Sequence, residues 1–501
     1  MGDQQEARPS SRLAVLVAVA AAMVGIIYGY DSSNIAGALD FIAKDFQITQ
    51  DAEKGLLTSY VIFGMIGGAL VGGALADRFG RQRMMVTIAA TFAVFSLLSG
   101  LAWDVPSLAV ARVLLGVTVG LSIVVVPLFV AESAPTRIRG ALLVLYQVAT
   151  VAGIILGYLV AWALAPAGSW RIMLGAAALP GAIITLLLLR APDTPRWYML
   201  KGRPEQAARV LARIDPGADV QAELAGIDRE LRERAARGRG RGGGAGRSVL
   251  RQMVTAPYRR ATVFVILLGF AVQITGINAI VYYSPQIFKA MGFAAEDHLA
   301  IYGLPALVQL AGLIAVFGSM VLVDRMGRRP VLLTGIGVMV AANALLIAIF
   351  ALGGAGQGSG IGQAQGGASL HLSGGLVTLG FLGLVLFTVG FTFGFGALVW
   401  VYAGETFPSQ LRGAGSSVML TSDLVANLAI GLAFLPMLRF LGGAGTFAVL
   451  GGFAVLAFLL VLRFAPETKG RPLDDIRLFW ENGGAWPRAD ASASSDAAGS
   501  R

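Results

Sequence analysis

GGALADRFGRQR at residues 72–83 returns in altered form as LVDRMGRRP at 322–330. Asp77-Arg78-Phe79-Gly80-Arg81 and Asp324-Arg325-Met326-Gly327-Arg328 stand 247 positions apart. Two more pairs follow in the same order. Glu132, with Arg139-Gly140 seven residues on, recurs as Glu405 with Arg412-Gly413 at an offset of 273, and Pro192-Asp193-Thr194 recurs as Pro466-Glu467-Thr468 at 274. A single DRxGR can arise because aspartate and arginine gather at helix ends, for dipole and snorkelling reasons. Three pairs in matching order describe a chain of two halves with one topology, and the step in offset places an insertion of about two dozen residues in the second half.

Between these motifs the chain is apolar. Its 501 residues are 56% hydrophobic and 14% charged, with mean hydropathy +0.72 and 66 glycines, whereas about a quarter of the residues of soluble chains are charged. The bilayer is the expected solvent. Glycine costs a water-exposed helix about 1 kcal/mol but lets membrane helices pack closely. Absence of cysteine removes disulfides, thiolate metal sites and thiol nucleophiles. His298 and His371 are the only histidines, and no HExxH, P-loop or GxSxG context is present. No metal, no cofactor and no enzymatic activity are therefore expected.

A crossing needs about 20 mostly apolar residues to span roughly 30 Å of hydrocarbon. Twelve segments qualify: 13–33, 56–76, 84–103, 106–131, 141–164, 171–190, 261–283, 300–323, 331–352, 375–404, 414–438 and 444–464. The fold class read from them is an all-α membrane protein with twelve transmembrane helices in two pseudo-symmetric six-helix bundles. The bundles occupy 13–190 and 261–464, with a terminus at 1–12, a loop at 191–260 and a tail at 465–501.

The net charge of +10 follows the topology. Sixteen basic residues lie from Arg190 to Arg260, and further arginines follow spans 2, 4, 8 and 10, whereas the alternate loops offer only Lys44, Lys54, Lys289 and Arg439, with Arg171 at a span edge. By the positive-inside rule both termini and the central loop are cytoplasmic, the host is the cell inner (plasma) membrane, and no nucleic-acid partner is implied. The first span lacks a small-residue cleavage site and reads as a retained helix. PEQAARVLARID and AELAGIDRELRERAARG read as short surface helices, RGRGRGGGAGR at 237–247 as a solvated linker, 353–368 as an outer loop, and the tail after 480 as disordered. Parallel six-span halves related by an axis along the membrane normal are the design of major facilitator transporters.

AESAPTRIRG at 131–140, PDTPRWYMLKG at 192–202, QITGINAIVYYSPQIF at 273–288, GETFPSQLRG at 404–413 and PETKGRPLDDI at 466–476 join the two opening stretches. On these the chain resembles the sugar porters of the major facilitator superfamily from about residue 24 to 477. DRxGR marks only the superfamily. PDTPRW, the QxxxxN run leading to YY, and PETKGR together are specific.

Asp77, Arg78, Arg81, Glu132 and Arg139 in one half, with Asp324, Arg325, Arg328, Glu405 and Arg412 in the other, are opposite charges at cytoplasmic helix ends. Such clusters can hold two halves together. The resemblance implies an ion-pair latch, joined by Glu467, that breaks in the inward-open state. Ionisable residues deep in spans are expensive and functional by default. Three stand out: Asp31 at the close of span 1, Arg112 in span 4 and Asp423 in span 11. The resemblance implies that Asp31 exchanges the proton with Arg112 as its partner. The alternative is that Asp31 only caps a helix beside an outer loop.

A polyhydroxy substrate needs groups that both donate and accept hydrogen bonds, plus an aromatic face. By position Gln147, Gln273, Asn278, Trp400 and Asn427 correspond to sugar-contacting residues of the family, with Tyr282 and Tyr283 as outer-gate residues. Helix-to-helix glue is the alternative for each buried amide. Departures occur at Val272, Ile154 and Ala397, and the family's amide-tryptophan pair is Asp423-Leu424 here. A carboxylate there can accept bonds from a sugar hydroxyl, bind an amino sugar or take a second proton.

The expected activity is proton-coupled symport of a monosaccharide or polyol by alternating access. The protein is expected to act as a monomer in contact with membrane lipid. A facilitative carrier of the same fold and a transporter-like sugar receptor are the other readings. Glu405→Ala or Arg139→Ala is expected to favour the inward-open state, read as a change in the sidedness of labelling by membrane-impermeant reagents.

Overall fold

The computed structural model describes residues 19, 21–133, 139–214, 219–239, 251–294, 296–355, 374–407, 411–471, 473–484 and 486. The 1–12 terminus, most of the 353–368 loop, the 240–247 part of the linker and the tail beyond 486 lie outside these residues. The ordered elements are helices. They run α1 Val24–Asp45, α2 Asp51–Phe79, α3 Arg81–Gly100, α4 Val105–Ser133, α5 Arg139–Leu164, α6 Trp170–Ala176 and α7 Ala178–Leu188. Short helices α8 Pro195–Leu200, α9 Pro204–Ile214 and α10 Val220–Arg239 follow. Then come α11 Arg259–Ile274, α12 Ile277–Ala290, α13 Leu304–Met326, α14 Arg328–Ala355, α15 Gly374–Phe391, α16 Ala397–Glu405, α17 Arg412–Phe464 and α18 Leu473–Glu481.

The described part of each expected span falls mainly on helix, with 13–18 and 20 of the first outside the described residues. Among the described residues ten helices are long and apolar enough to cross a bilayer. One of these, α17, has 53 residues, covers two expected spans and bends at Gly442, where φ is 65°. The polar α1 lies outside the ten. Its extent corrects the sequence reading, because the helix passes through Asp31 and continues to Asp45. The polar run that suggested an end at 33 is absorbed: Ser32 and Ser33 hydroxyls donate to the Tyr28 and Gly29 carbonyls, and the Asn34 amide donates to the Met173 carbonyl at 2.9 Å. Asp31 therefore sits mid-helix, and the capping alternative falls. The tail is likewise ordered up to α18, with Trp480 packed on Phe264 and the Tyr258 hydroxyl donating to Glu481 at 2.8 Å.

The chain forms two compact units, one from residues up to 242 with 281–289 and 293–310, the other from the remainder. In the first, glycines spaced by four recur on four helices. Gly25 and Gly29 of α1 face α5 backbone at Tyr146 and Thr150, and Gly153 of α5 returns against Ile26. Gly64 and Gly68 of α2 face Val113 and Val117 of α4, and Gly116 and Gly120 return against Val61 and Met65. Lipid offers no hydrophobic drive between helices, so association depends on such close backbone approach. Asp31 lies on a helix of the first seam and Arg112 on a helix of the second. In the second unit Gly269 of α11 meets the Met419 backbone of α17, and Gly335 of α14 meets Gly390 of α15. The α9–α10 pair buries Ala207, Leu211 and Leu224, as the amphipathic pattern anticipated.

Gly116→Ala would drive a methyl into the Val61 carbonyl. It should destabilise the protein by about 1–3 kcal/mol, lowering the melting temperature of the detergent-purified protein. Gly73→Ala, where nothing lies within 4 Å, should leave it unchanged.

Candidate functional site

In the first unit the Arg112 guanidinium forks onto Asp31, with Nη1 donating to Oδ1 at 2.5 Å and Nη2 to Oδ2 at 3.4 Å. The two residues are 1% and 4% exposed. A charge-assisted bidentate pair of this kind is among the strong hydrogen bonds, and burial makes the loss of either partner costly. The pair lines a small cavity with Tyr28, Ser32, Thr58 and Tyr282 on one part of its wall and Ile35, Val61, Ile62 and Met65 on the rest. An acid with its arginine at the wall of a cavity can exchange a proton with water that enters it.

Tyr282 reaches this cavity because the segment 281–289 belongs to the first unit. Pro285 interrupts α12. Having no N–H, proline leaves the carbonyl four residues earlier, that of Val281, without its helical donor. The buried Tyr158 hydroxyl of α5 replaces it, donating to the Val281 oxygen at 2.5 Å. Tyr283 has non-helical dihedrals (φ −123°, ψ 19°), is fully buried, and its hydroxyl is hydrogen-bonded to the Thr58 side chain. At the end of the segment Gln286 and Lys289 both donate to Asp40 of α1, at 2.9 and 2.5 Å.

The second unit gathers part of the expected amide set. Gln273 of α11 donates through Nε2 to Asp423 Oδ2 of α17 at 3.3 Å, and Asn427 lies fully buried one turn further along α17. Gln273 Oε1 and Asn278 Nδ2 are buried with no partner among the described residues. Trp400 on α16 is 44% exposed and makes no described contact with these amides. Gln147 is half-buried on α5 of the first unit.

Among the described residues, contacts of the charged helix-end motifs lie within each unit. Arg81, nearly buried, pairs with Asp77 at 2.6 Å and Glu132 at 3.1 Å. Glu132 also accepts from the Thr194 hydroxyl at 2.6 Å, and Arg196 lies 3.9 Å from Glu132 and 3.0 Å from Glu230. Asp193 accepts from the backbone N–H of Arg81 at 3.0 Å and of Thr194 at 2.8 Å. Burial pushes its carboxyl above the usual range, against those bonds and the Arg81 charge. Glu467 does the same work in the second unit, accepting from the N–H groups of Arg328 and Arg329 at 3.1 Å each. Both carboxylates sit against a glycine with positive φ, Gly80 at 106° and Gly327 at 99°, where a Cβ would strike them. Glu467 is thus a helix cap within its own unit.

Of the remaining motif residues, Arg78 stacks on Phe79, the Arg325 carbonyl accepts from Lys469, and Glu405 Oε2 and Arg412 Nε are buried without a partner among the described residues. The side chains of Arg139 and Asp324 lie outside those described. Asp193, Thr194, Arg196, Tyr158 and the Asp40–Lys289 pair carry no assigned role in the sequence reading. The 193/467 match in the repeat was the available signal for Asp193, and no sequence pattern pointed to Tyr158.

Glycine-packed helical units enclosing a buried acid–arginine pair are the architecture of a multi-pass membrane transporter. The chain matches the family described as "Sugar (and other) transporter" over residues 17–480, and it belongs to that family. It is 33% identical over 474 residues to the galactose-proton symporter of Escherichia coli K12, covering 94% of this chain and 96% of the relative. It is 30% identical over 477 residues to the arabinose-proton symporter of Bacillus subtilis 168 (93% and 95%) and 32% over 490 to probable polyol transporter 3 of Arabidopsis thaliana (94% and 92%). Its fold is that of the xylose transporter XylE from E. coli. A partially occluded inward-open structure of XylE superposes with TM-score 0.75 at 24% identity, covering 92% of this chain and all of that one.

Tyr158→Phe strands the Val281 carbonyl in a buried site. The expected loss is about 1–3 kcal/mol of stability, measured as a lower unfolding temperature. An unchanged melting curve would show that the tyrosine does not satisfy the break.

Proposed function

We propose that the protein is a proton-coupled symporter of a monosaccharide or polyol working by alternating access. It acts as a monomer in the cell inner membrane with both termini cytoplasmic. The observation that carries this reading is the buried Asp31–Arg112 fork at the wall of a small cavity. Relatives named as galactose-proton and arabinose-proton symporters over nearly the whole chain support it.

Protonation of Asp31 removes the counter-charge of Arg112 and weakens the fork, so the guanidinium must find another acceptor. Deprotonation restores the pair. A proton entering from one side and leaving on the other drives the cycle, because each change makes or breaks the ion pair that joins α1 to α4. Gln147, Gln273, Asn278, Asn427 and Asp423 are proposed to present donors and acceptors to hydroxyl groups, with Trp400 as the apolar platform. Tyr282 and Tyr283 form the outer gate, hinged at Pro285. The charged cluster around Arg81, Glu132, Glu405 and Arg412 is the inner latch, with Asp193 and Glu467 shaping its turns.

The test is uptake into proteoliposomes of labelled pentoses, hexoses and polyols, with and without an imposed pH gradient. Accumulation of at least one sugar should require the gradient. Asp31→Asn should reduce that accumulation to the level of simple equilibration. Concentrative uptake by this variant would sink the coupling role, and gradient-independent uptake by the unaltered protein would make it a facilitative carrier.

A further inference from the structure

Asp423 is the only acidic residue of α17 and is 5% exposed. Unlike Asp31, it has no cation beside it. Its one hydrogen bond comes from the neutral Gln273 amide to Oδ2, and Oδ1 accepts none among the described residues. The helices packed on α17 bring little charge to this level. The ionisable groups are Arg259 and Arg260 at the start of α11, Arg328 and Arg329 at the start of α14, and Tyr402 and Glu405 on the last turns of α16. On α17 itself the nearest is Arg412, eleven residues away, which is about 16 Å of helix rise. The Tyr402 hydroxyl is committed to the Pro466 carbonyl at 2.9 Å.

Gln273 offers Oδ1 no second donor, since its buried atom without a partner is the acceptor Oε1. A carboxylate buried without a cation, and with one neutral donor, bears a desolvation cost that protonation removes. Nor is the acid part of the duplicated scaffold. Stepping back by the offset of 273 from Asp423 leads to Thr150, whose hydroxyl simply donates to the Tyr146 carbonyl of its own helix.

We propose that Asp423 is a second proton site, independent of Asp31, carrying its proton on Oδ1 when the pocket holds no substrate. An O–H bond forms at Oδ1 with a proton taken from water on the side to which the pocket is open, and the proton is returned to water on the other. This rests on the transport reading for its role in coupling, but protonation itself does not. The site then carries two acids of opposite design, one balanced by an arginine and one held neutral. The second makes the amide pocket a donor to sugar oxygen atoms and adds a proton to each cycle.

Infrared difference spectroscopy of the purified protein, titrated without sugar, tests the site directly. A neutral-carboxyl carbonyl band should be present at neutral pH, convert to carboxylate on alkalinisation, vanish in Asp423→Asn and persist in Asp31→Asn. Asp423→Glu should retain a shifted band, which separates loss of the acid from loss of the fold. Identical spectra for the unaltered protein and Asp423→Asn would overturn the proposal. In proteoliposomes the proton-to-sugar ratio, read from the membrane potential at which D-galactose or L-arabinose flux reverses, should halve in Asp423→Asn. An unchanged ratio would overturn the coupling role. Failure of the unaltered protein to take up any sugar would count against the transport reading alone, because the infrared measurement uses none.

Discussion

Hydrocarbon gives a polar group nothing to bond to, and that constraint organises the structure. Each polar atom that function places inside a span must find its partner on another helix, so helices must touch closely enough to supply one. The glycine seams between α1 and α5 and between α2 and α4 provide that approach. In the same unit Arg112 of α4 reaches Asp31 of α1, Asn34 of α1 reaches the Met173 carbonyl of α6, and Tyr158 of α5 reaches the carbonyl that Pro285 leaves bare. Small residues and buried polar residues are two sides of one requirement. The first set removes volume, and the second uses the proximity.

The same physics explains why the two acids differ. Asp31 lies where α1 and α4 can deliver a guanidinium, and its charge is carried by a fork of hydrogen bonds. Asp423 lies on a helix whose cationic groups are at its start, Arg412, at Arg439 or near its end at Arg463, so only an amide reaches it. Whether a buried carboxyl is held as an ion or as a neutral acid depends on this neighbourhood more than on depth in the membrane.

Much of the fold was legible in the sequence because both of its main signals are one-dimensional. Hydropathy located every helical span, and the DRxGR, glutamate-arginine and PDT/PET pairs exposed the duplication. Misreadings arose where polar residues have more than one partner. Asp31-Ser32-Ser33-Asn34 looked like the end of a span, but the hydroxyls bond back along the helix and the amide is taken by another helix. Glu467, which the resemblance places in the latch, is held in this structure by main-chain N–H groups at the start of α14, a contact the sequence did not signal. Of the candidate site, Asp31 and Arg112 meet as the resemblance implied, whereas the Gln273–Asp423 bond had no signal in the sequence. Tyr158 escaped notice because its role exists only opposite a proline more than a hundred residues later.

The turns after α2 and α13 are built alike, with a left-handed glycine and a carboxylate seated on the next helix's first amides. One carboxylate is an aspartate and the other a glutamate, a methylene longer. The two halves of this chain therefore share a bonding pattern without sharing the part that makes it, so a carboxylate exchanged between the turns would meet its amides one methylene too near or too far.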